Sequence, residues 1–387
     1  MFTKVYRSYN MPFVYALNND MTRKFLLDFP EQIVQVLNEK WDLIIIDELF
    51  GVHSFGFVMM NKIHENTPYI VMSTTTMLPS TSAVLSLGTS ISANPYILPM
   101  PPKDDEDMHN PRDFLQRLSN GVESLLENFF INFVVENFYL DSLQLFGIRD
   151  FTWHQMYKEK SGFLVDYLDK MGFPKTSSTD LFSTCSHCVS PKNLSREYEE
   201  FMNDPKSNGT IYIAFGTNVL WEHAPEPVLD AFFDAVNELD DYKVIFSFNG
   251  KPRPVKQHVM LTKWAPQVEI LTHPTMKMFV SHGGLKSVKE ALCSKVPVIF
   301  MPMFAEQAFN VKLMLQMGVA SVINKFTITK EKILQAVHKD FLHKLDTERL
   351  RRSRVEFSIV NPIWIFRASP PSGIPEIRFR ADPKMSS

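Results

Sequence analysis

Several features that would place a chain quickly are missing here. No run of about 18 or more apolar residues occurs in the 387 residues, so no membrane-spanning helix is expected. The opening MFTKVYRSYNMPFVYALNND contains no apolar core of the kind a secretory signal needs, and no such signal is expected in it. Positive charge is not in excess: 40 Lys and Arg stand against 43 Asp and Glu, for a net charge of −3. With a pI near 6.4, a nucleic-acid-binding surface gains no support. Three cysteines are too few for a disulfide framework. Cys185 and Cys188, with His187 between them, form a lone C-x-x-C, and ordinary thiols are expected there rather than zinc. No metal site is expected elsewhere. The absence of any G-x-G-x-x-G argues against a nicotinamide-dependent dehydrogenase, and no internal repeat is visible.

What is present is apolar mass and alternation. At 45% hydrophobic and 12% aromatic, the chain can bury a sizeable core, and its length suggests two domains. From Thr210 onward, strand-like runs (Thr210–Phe215, Lys243–Phe248, Val259–Lys263, Lys277–Ser281, Val296–Met301, Ala320–Ile323) alternate with helical stretches near 225–239, 285–294 and 305–317. Such alternation predicts a parallel, doubly wound α/β sheet.

The most informative stretch is Trp264–Asn310. Lys277–Ser281 runs into His282-Gly283-Gly284, and a helical period starts at Leu285, with Val288, Ala291 and Leu292 on one face. A strand, a glycine turn and a helix N-terminus present backbone N–H groups to an anion, most naturally a phosphate. His282 and Ser287 can add donors, and Glu290, one turn on, can accept from sugar hydroxyls. Upstream, Trp264 and Gln267 pair a flat ring with an amide, suited to stacking on a base and reading its edge. Downstream, Glu306 and Gln307 offer an acid and an amide for a second sugar.

In its order and gaps, the Trp264–Gln307 segment resembles the signature of the UDP-glycosyltransferases, the family that includes the UDP-glucuronosyltransferases. The resemblance implies two Rossmann-like α/β domains facing across a cleft (the GT-B type), with the N-terminal one incomplete. It implies that Trp264 stacks on uracil and Gln267 binds its edge; that His282, Gly283, Gly284 and Ser287 hold the diphosphate; that Glu290 takes the ribose hydroxyls; and that Glu306 and Gln307 bind the transferred sugar. Gly216 and Thr217, just past a strand, fall beside the diphosphate. Three positions depart from the common pattern: Lys286 for Asn, Lys295 for Gly and Glu306 for Asp. Lys286 could add positive charge near the diphosphate.

In the first half, residues 21–39 read as an amphipathic helix with Phe25, Leu26, Phe29, Ile33, Val36 and Leu37 on one side. Trp41–Asp47 reads as a buried parallel strand ending in a carboxylate, followed by a helical stretch from Phe55 to His64 and a strand at Pro68–Ser73. Asp47 matches the family Asp that orients and charges the catalytic histidine. That histidine lies in a loop whose counterpart is missing from this sequence; for His53 and His64 a plain structural role is expected. Thr74–Thr76 and 85–102 resemble the acceptor-side loops. Lys103–Asp107 reads as a solvated acidic turn. The helical pattern from Phe114 to Tyr139, apolar around Phe129, Phe130, Phe133, Val134 and Phe138, is expected to pack on the first sheet or line an apolar pocket.

The expected organisation is thus 1–190 as a truncated acceptor-binding domain, 191–209 as a linker, 210–345 as the UDP-sugar domain and 346–387 as an irregular tail. Residues 172–205 read as linker-like, short of the family's last N-terminal strand. Asn193 and Asn208 fit the glycosylation pattern. The resemblance implies an inverting transfer from a UDP-sugar, needing no metal or cofactor, to a small lipophilic hydroxyl or acid. It implies a lumenal endoplasmic reticulum setting, with membrane association only for a full-length form, and pairing as a homo- or hetero-oligomer within the family. The alternative is a non-catalytic homologue that binds UDP-sugar or modulates a complete family member.

Overall fold

The computed structural model describes residues 1–340 apart from Phe50, Thr89, Ile91, Ser92, Tyr139, 169–171 and 185–187. For Val52, His53, Lys339 and Asp340 only the backbone course is described. The 346–387 tail, Cys185, His187 and the His53 side chain therefore lie outside the described residues.

The first half carries helices α1 (Met11–Asp28), α2 (Pro30–Asn38), α3 (Val52–Glu65), α4 (Pro79–Val84), α5 (Phe114–Phe129), α6 (Glu136–Phe138) and α7 (Trp153–Glu159). Among them run strands β1 (Ile44–Asp47), β2 (Tyr69–Ser73), β3 (Gly162–Val165) and β4 (Leu181–Ser183), paired in that order and all parallel. After α8 (Arg196–Met202) come β5 (Thr210–Ala214), α9 (Glu226–Glu238), β6 (Lys243–Ser247), β7 (Val259–Thr262), α10 (Gln267–Thr272), β8 (Met276–Ser281), α11 (Leu285–Ser294), β9 (Val298–Phe300), α12 (Gln307–Gln316), β10 (Ala320–Val322) and α13 (Lys330–Gln335). The second sheet is ordered β10-β9-β8-β5-β6-β7 and is also wholly parallel.

Strand periodicity explains the layering. In β5, Ile211 and Ile213 face one apolar cluster with α9 and α13, while Tyr212 and Ala214 face the other with α10, α11 and α12. The second cluster continues into the first domain, where Tyr167 and Phe173 meet Phe309 of α12 at ring distances of 5.7 and 5.1 Å. The two sheets are thus joined through an apolar seam.

Several expectations are corrected. The single helix over 21–39 is two: Phe29 leaves the helical region at φ −133°, and Pro30 starts α2, where its missing N–H costs nothing. Phe25, Phe29 and Val36 are exposed, and α1 buries Met11, Tyr15 and Thr22 instead. The stretch read as linker contains β4, paired with β3 through Phe163–Leu181, Leu164–Phe182 and Val165–Ser183. Helix α5 and the π turn after it (Phe130–Val135) face the other way from the expected packing. Phe129, Phe133 and Phe138 are exposed, while Glu123 and Glu127 are buried and only Ile131 and Val135 of the turn reach the core. Lys103–Asp107 is solvated only in part: Lys103, Asp104 and Glu106 are exposed, but Asp105 accepts from the Val322 N–H at 2.7 Å and the Ser321 hydroxyl at 3.1 Å, and Asp107 pairs with Lys312 at 3.3 Å. Among the described residues, no helix is long and apolar enough to cross a membrane.

The cysteines hold the clearest correction. Cys188, expected as a free thiol, is bonded to Cys293 near the end of α11, 105 residues away. A bridge closing so long a loop restricts the unfolded chain strongly, by about 4–5 kcal/mol on chain-entropy grounds. Reduction, or Cys293→Ser, is expected to lower stability by that amount in paired thermal melts with and without dithiothreitol. A melt that ignores the reductant would mean that the two thiols are not bridged in solution.

Candidate functional site

The predicted residues gather at the C-terminal end of β8 and the start of α11, a helix that Asp166 of the first domain contacts; strand ends of this kind are the usual ligand position in open α/β sheets. At the end of β8, Ser281 gives way to His282, Gly283 and Gly284, and Gly284 caps α11 with no side chain of its own to offer. Gly283 has φ +87°, and a Cβ there would lie 2.7 Å from Val311. At Gly216 (φ +69°), past β5, and at Gly284, an added Cβ would lie 3.0 and 2.6 Å from the His282 ring. The glycines expected to admit a ligand thus first admit the imidazole, which is clamped between two backbone turns. Burial pushes its pKa down to about 4, and its Nδ1 is buried with no hydrogen-bond partner among the described residues. His282 is therefore neutral near pH 7, with one ring nitrogen uncommitted.

One turn into the helix, three predicted residues meet. The Gln267 amide, at the start of α10, donates from Nε2 to Ser287 Oγ at 3.1 Å and to Glu290 Oε2 at 2.6 Å. Burial raises the Glu290 pKa, and the Gln267 bond opposes that shift. Trp264 lies just ahead, with its side chain open to solvent (72% exposed) and its carbonyl held by Thr262 Oγ1 at 2.6 Å. Thr217 is exposed beside Gly216.

Glu306 and Gln307 open α12. The Gln307 side-chain oxygen Oε1 accepts from the backbone N–H groups of Met303 and Phe304 at 2.8 and 3.0 Å, which fixes the turn after β9. The Glu306 carboxyl is partly buried, which raises its pKa, and the Leu285 N–H at the start of α11 lies near enough to oppose that shift. An acid expected at the sugar thus lies against the helix end expected to take the diphosphate. Beside this turn, the Lys325 ammonium donates to the carbonyls of Met303, Met1 (2.9 Å) and Lys4 (2.8 Å), and burial lowers its pKa to about 8.

The first domain contributes two strand-end carboxylates. Asp47 accepts from the Leu49 N–H at 2.9 Å and Thr74 Oγ1 at 3.0 Å. Asp166, just past β3, pairs with both Lys286 and Lys289 of α11. Burial alone would raise the Asp166 pKa, but the two ammonium groups outweigh it and hold it below the usual carboxylate range. Lys286, expected to add charge near the diphosphate, is thus spent across the seam. Lys295 takes a left-handed conformation (φ +59°) as the cap after α11, a place where the family's glycine is the natural residue. His64 is exposed on α3. Sequence reasoning missed Asp166 and Lys325. Only the position of Asp166 after the apolar run Phe163–Val165 could have signalled it, and nothing in the sequence pointed to Lys325.

Two parallel, Rossmann-like α/β domains define a fold of the GT-B type. The fold is shared with the crystal structure of the glycotransferase of kitacinnamycin (TM-score 0.55, 16% identity, covering 92% of this chain and 80% of that one). It is also shared with CalG4, the calicheamicin glycosyltransferase (TM-score 0.53, 18% identity, covering 88% and 77%). The chain belongs to the UDP-glucoronosyl and UDP-glucosyl transferase family, whose profile matches residues 69–351. It is similar to human UDP-glucuronosyltransferase 1A6, 28% identical over 61% of this chain and 45% of that protein. It is likewise similar to human UDP-glucuronosyltransferase 1A1, 26% identical over 73% and 53%. The UDP-glycosyltransferase UGT5 of Dactylopius coccus is 32% identical over 40% of this chain and 29% of its own length. The chain spans about half the length of the two human relatives.

A pH prediction follows from His282. Its folded-state pKa (about 4) lies below the ordinary 6.5, so its contribution to stability is complete above pH 6.5 and is lost as pH falls toward 4. Glu48, buried behind Asp47 and raised to about 7, runs the opposite way over the same range. Only a difference isolates the histidine: from pH 6.5 to 4, wild type should lose up to about 3 kcal/mol more than His282→Gln. Parallel pH profiles of the two proteins would refute a buried neutral imidazole.

Proposed function

We propose that this chain builds the donor site of a UDP-glycosyltransferase that moves glucuronic acid or glucose, with inversion, to a small lipophilic hydroxyl or acid. One observation carries the reading: His282, whose Nε2 edge lies against the Gly216 and Gly284 turns, and the Gln267–Ser287–Glu290 network converge on the N-terminal end of α11. In this reading the diphosphate lies along that helix end with Gly216, Thr217, Gly283, Gly284 and Ser287. His282 donates to it, and helix dipole and donors supply the stabilisation a cation would otherwise give. Trp264 stacks on uracil. Gln267 has both amide hydrogens engaged inward, which leaves its carbonyl oxygen to meet the base N–H. Glu290 accepts from the ribose, and Glu306 and Gln307 receive the transferred sugar.

The chemistry is a displacement at the anomeric carbon. The acceptor oxygen gives its proton to a base and attacks from the face opposite UDP; the bond from the anomeric carbon to the diphosphate breaks, and UDP leaves with the electron pair. Asp47 is assigned the orientation and charging of a histidine base, although no histidine of this sequence matches the family's base position. The Cys188–Cys293 bridge supports an oxidising compartment, in keeping with the endoplasmic reticulum lumen. Membrane attachment and pairing with other family members belong to the same proposal for a full-length form. Binding without transfer is the second reading, favoured by Glu306 lying on the helix end.

Calorimetric titration of UDP into wild type and Glu290→Ala tests the site. The loss of a charged hydrogen-bonding group should weaken binding about 10- to 150-fold. A folded wild type that gives no heat, or a variant that binds equally well, would end the assignment. Glu306→Gln removes a negative charge from the helix end, so it should tighten UDP binding about two- to fivefold. Weaker binding in that variant would show that the carboxylate does not compete with the nucleotide there.

A further inference from the structure

Residues 1–8 join the two domains. Glu123 of α5 takes Arg7 Nε at 2.8 Å and the Ser8 N–H at 3.0 Å, which ties this stretch to the first domain. Its other end is seated in the second. Phe2 and Thr3 form a turn, and the carbonyls on either side of it, those of Met1 and Lys4, both accept from the Lys325 ammonium, at 2.9 and 2.8 Å. Within that turn Phe2 is 5% exposed, with its ring 5.5 Å from that of Trp221, in the apolar cluster that also holds Met301, Met303 and Ile323. Tyr6 follows, 6.3 Å from the Phe304 ring. Trp221 lies past β5, Phe304 past β9 and Lys325 past β10, so these contacts flank the end of β8, where His282 stands.

What the segment grips is the turn that opens α12. Lys325 also donates to the Met303 carbonyl. The N–H groups of Met303 and Phe304 go to Gln307 Oε1, and Gln307 is 4% exposed. Between Phe304 and Glu306, Ala305 has φ +53°, a left-handed conformation that a residue with a Cβ rarely adopts. Such strain persists only where the surroundings hold it in place. Gln307 holds the turn from one side; Lys325 and Tyr6, and with them residues 1–6, hold it from the other. In this conformation both lone pairs of the Gln307 oxygen serve the backbone, and that atom has nothing left to offer a sugar hydroxyl.

We propose that residues 1–6 are an autoinhibitory clamp on the sugar side of the donor site: docked on Lys325 and Trp221, they keep the 303–306 turn strained and Gln307 turned inward, and a UDP-sugar gains its sugar contacts only when they release. The clamp rests on the donor-site reading and adds a gate to it. Because it grips the sugar side alone, UDP without a sugar binds the docked and released forms equally and shifts neither. A UDP-sugar favours the released form, and so it loosens the segment as it binds.

The test uses the whole chain, with UDP, UDP-glucose and UDP-glucuronic acid as probes and two readings. The first needs no nucleotide: trypsin cuts after Lys4, whose carbonyl is held by Lys325 while the segment is docked. The second is calorimetric affinity. Phe2→Asp, which puts a charge in the seated position, should raise the rate of cleavage at Lys4 about tenfold, bind at least one of the two UDP-sugars about tenfold more tightly and bind UDP as wild type does. In wild type, that UDP-sugar should speed cleavage at Lys4 and UDP should not. Tyr6→Ala makes the same test with a smaller change and decides it where Phe2→Asp does not fold by circular dichroism. Unchanged cleavage in a folded variant would mean that the segment is not held, and faster cleavage with unchanged UDP-sugar affinity that it is held for structure alone. Either result overturns the clamp, while UDP binding keeps the donor site. No UDP binding by wild type or variant overturns both.

Discussion

The candidate site depends on one buried ionic contact, Asp166 of the first domain between Lys286 and Lys289 of α11. Asp166 is 3% exposed and Lys289 7%, so both charges have given up most of their hydration. Removing one partner of such a group leaves a buried charge uncompensated, at about 3–5 kcal/mol, far more than the pair itself contributes to folding. The contact is therefore better understood as a positioning device than as a source of stability. It sets where α11 lies relative to the first sheet, and the Cys188–Cys293 bridge fixes the other end of the same helix. With both ends held, the first turn of α11 has a defined place from which to meet an anion.

The donor residues around that turn are ordered by the protein itself. The missing Cβ atoms at Gly216 and Gly284 are filled by the His282 ring, and the Gln267 amide is already bonded to Ser287 and Glu290. Groups held in advance lose little freedom when a ligand arrives, which is how a site gains affinity without extra contact area. Glu306 works in the other direction, since its carboxyl lies near the Leu285 N–H at the same helix end. The site thus combines preset donors with a neighbouring carboxyl, and under the proposed function the balance between them would set nucleotide affinity.

Much of the second domain was legible because its information is local. A strand, a glycine turn and a helix lie within Met276–Ser294, and α11 falls where the apolar period placed it. What escaped reading depends on partners distant in the chain. Strands β3 and β4 have four and three residues and gain their identity from pairing in the first sheet. Cys188 acquires a partner 105 residues away, and Asp166 acquires two lysines more than 100 positions on. The acidic turn at Asp105–Asp107 reads as solvent-facing until β10 and Lys312 supply its donors. At Asp105, Asp107, Asp166 and Cys188 the residue type alone does not reveal the partner, and the apolar run Phe163–Val165 was the one local signal among them.

Helix α5 shows why periodicity alone failed in the first domain. Its apolar pattern was visible in the sequence and was expected inside. In the structure Glu127 accepts from the Ser80 N–H at 3.0 Å and the Tyr96 hydroxyl at 2.7 Å, while Glu123 holds Arg7 and, at 3.0 Å, the Ser8 N–H. Asp113 fixes the phase of the first turn by capping Leu115 and Gln116. Rotating the helix would bury Leu125 and Phe129, worth about 1.5–3 kcal/mol each. It would also strand those donors in the interior at about 1–3 kcal/mol apiece, more for the guanidinium. Four donors outweigh two side chains, so hydrogen-bond demand on the inner wall, which a hydrophobic pattern does not record, decides which face of this helix is buried.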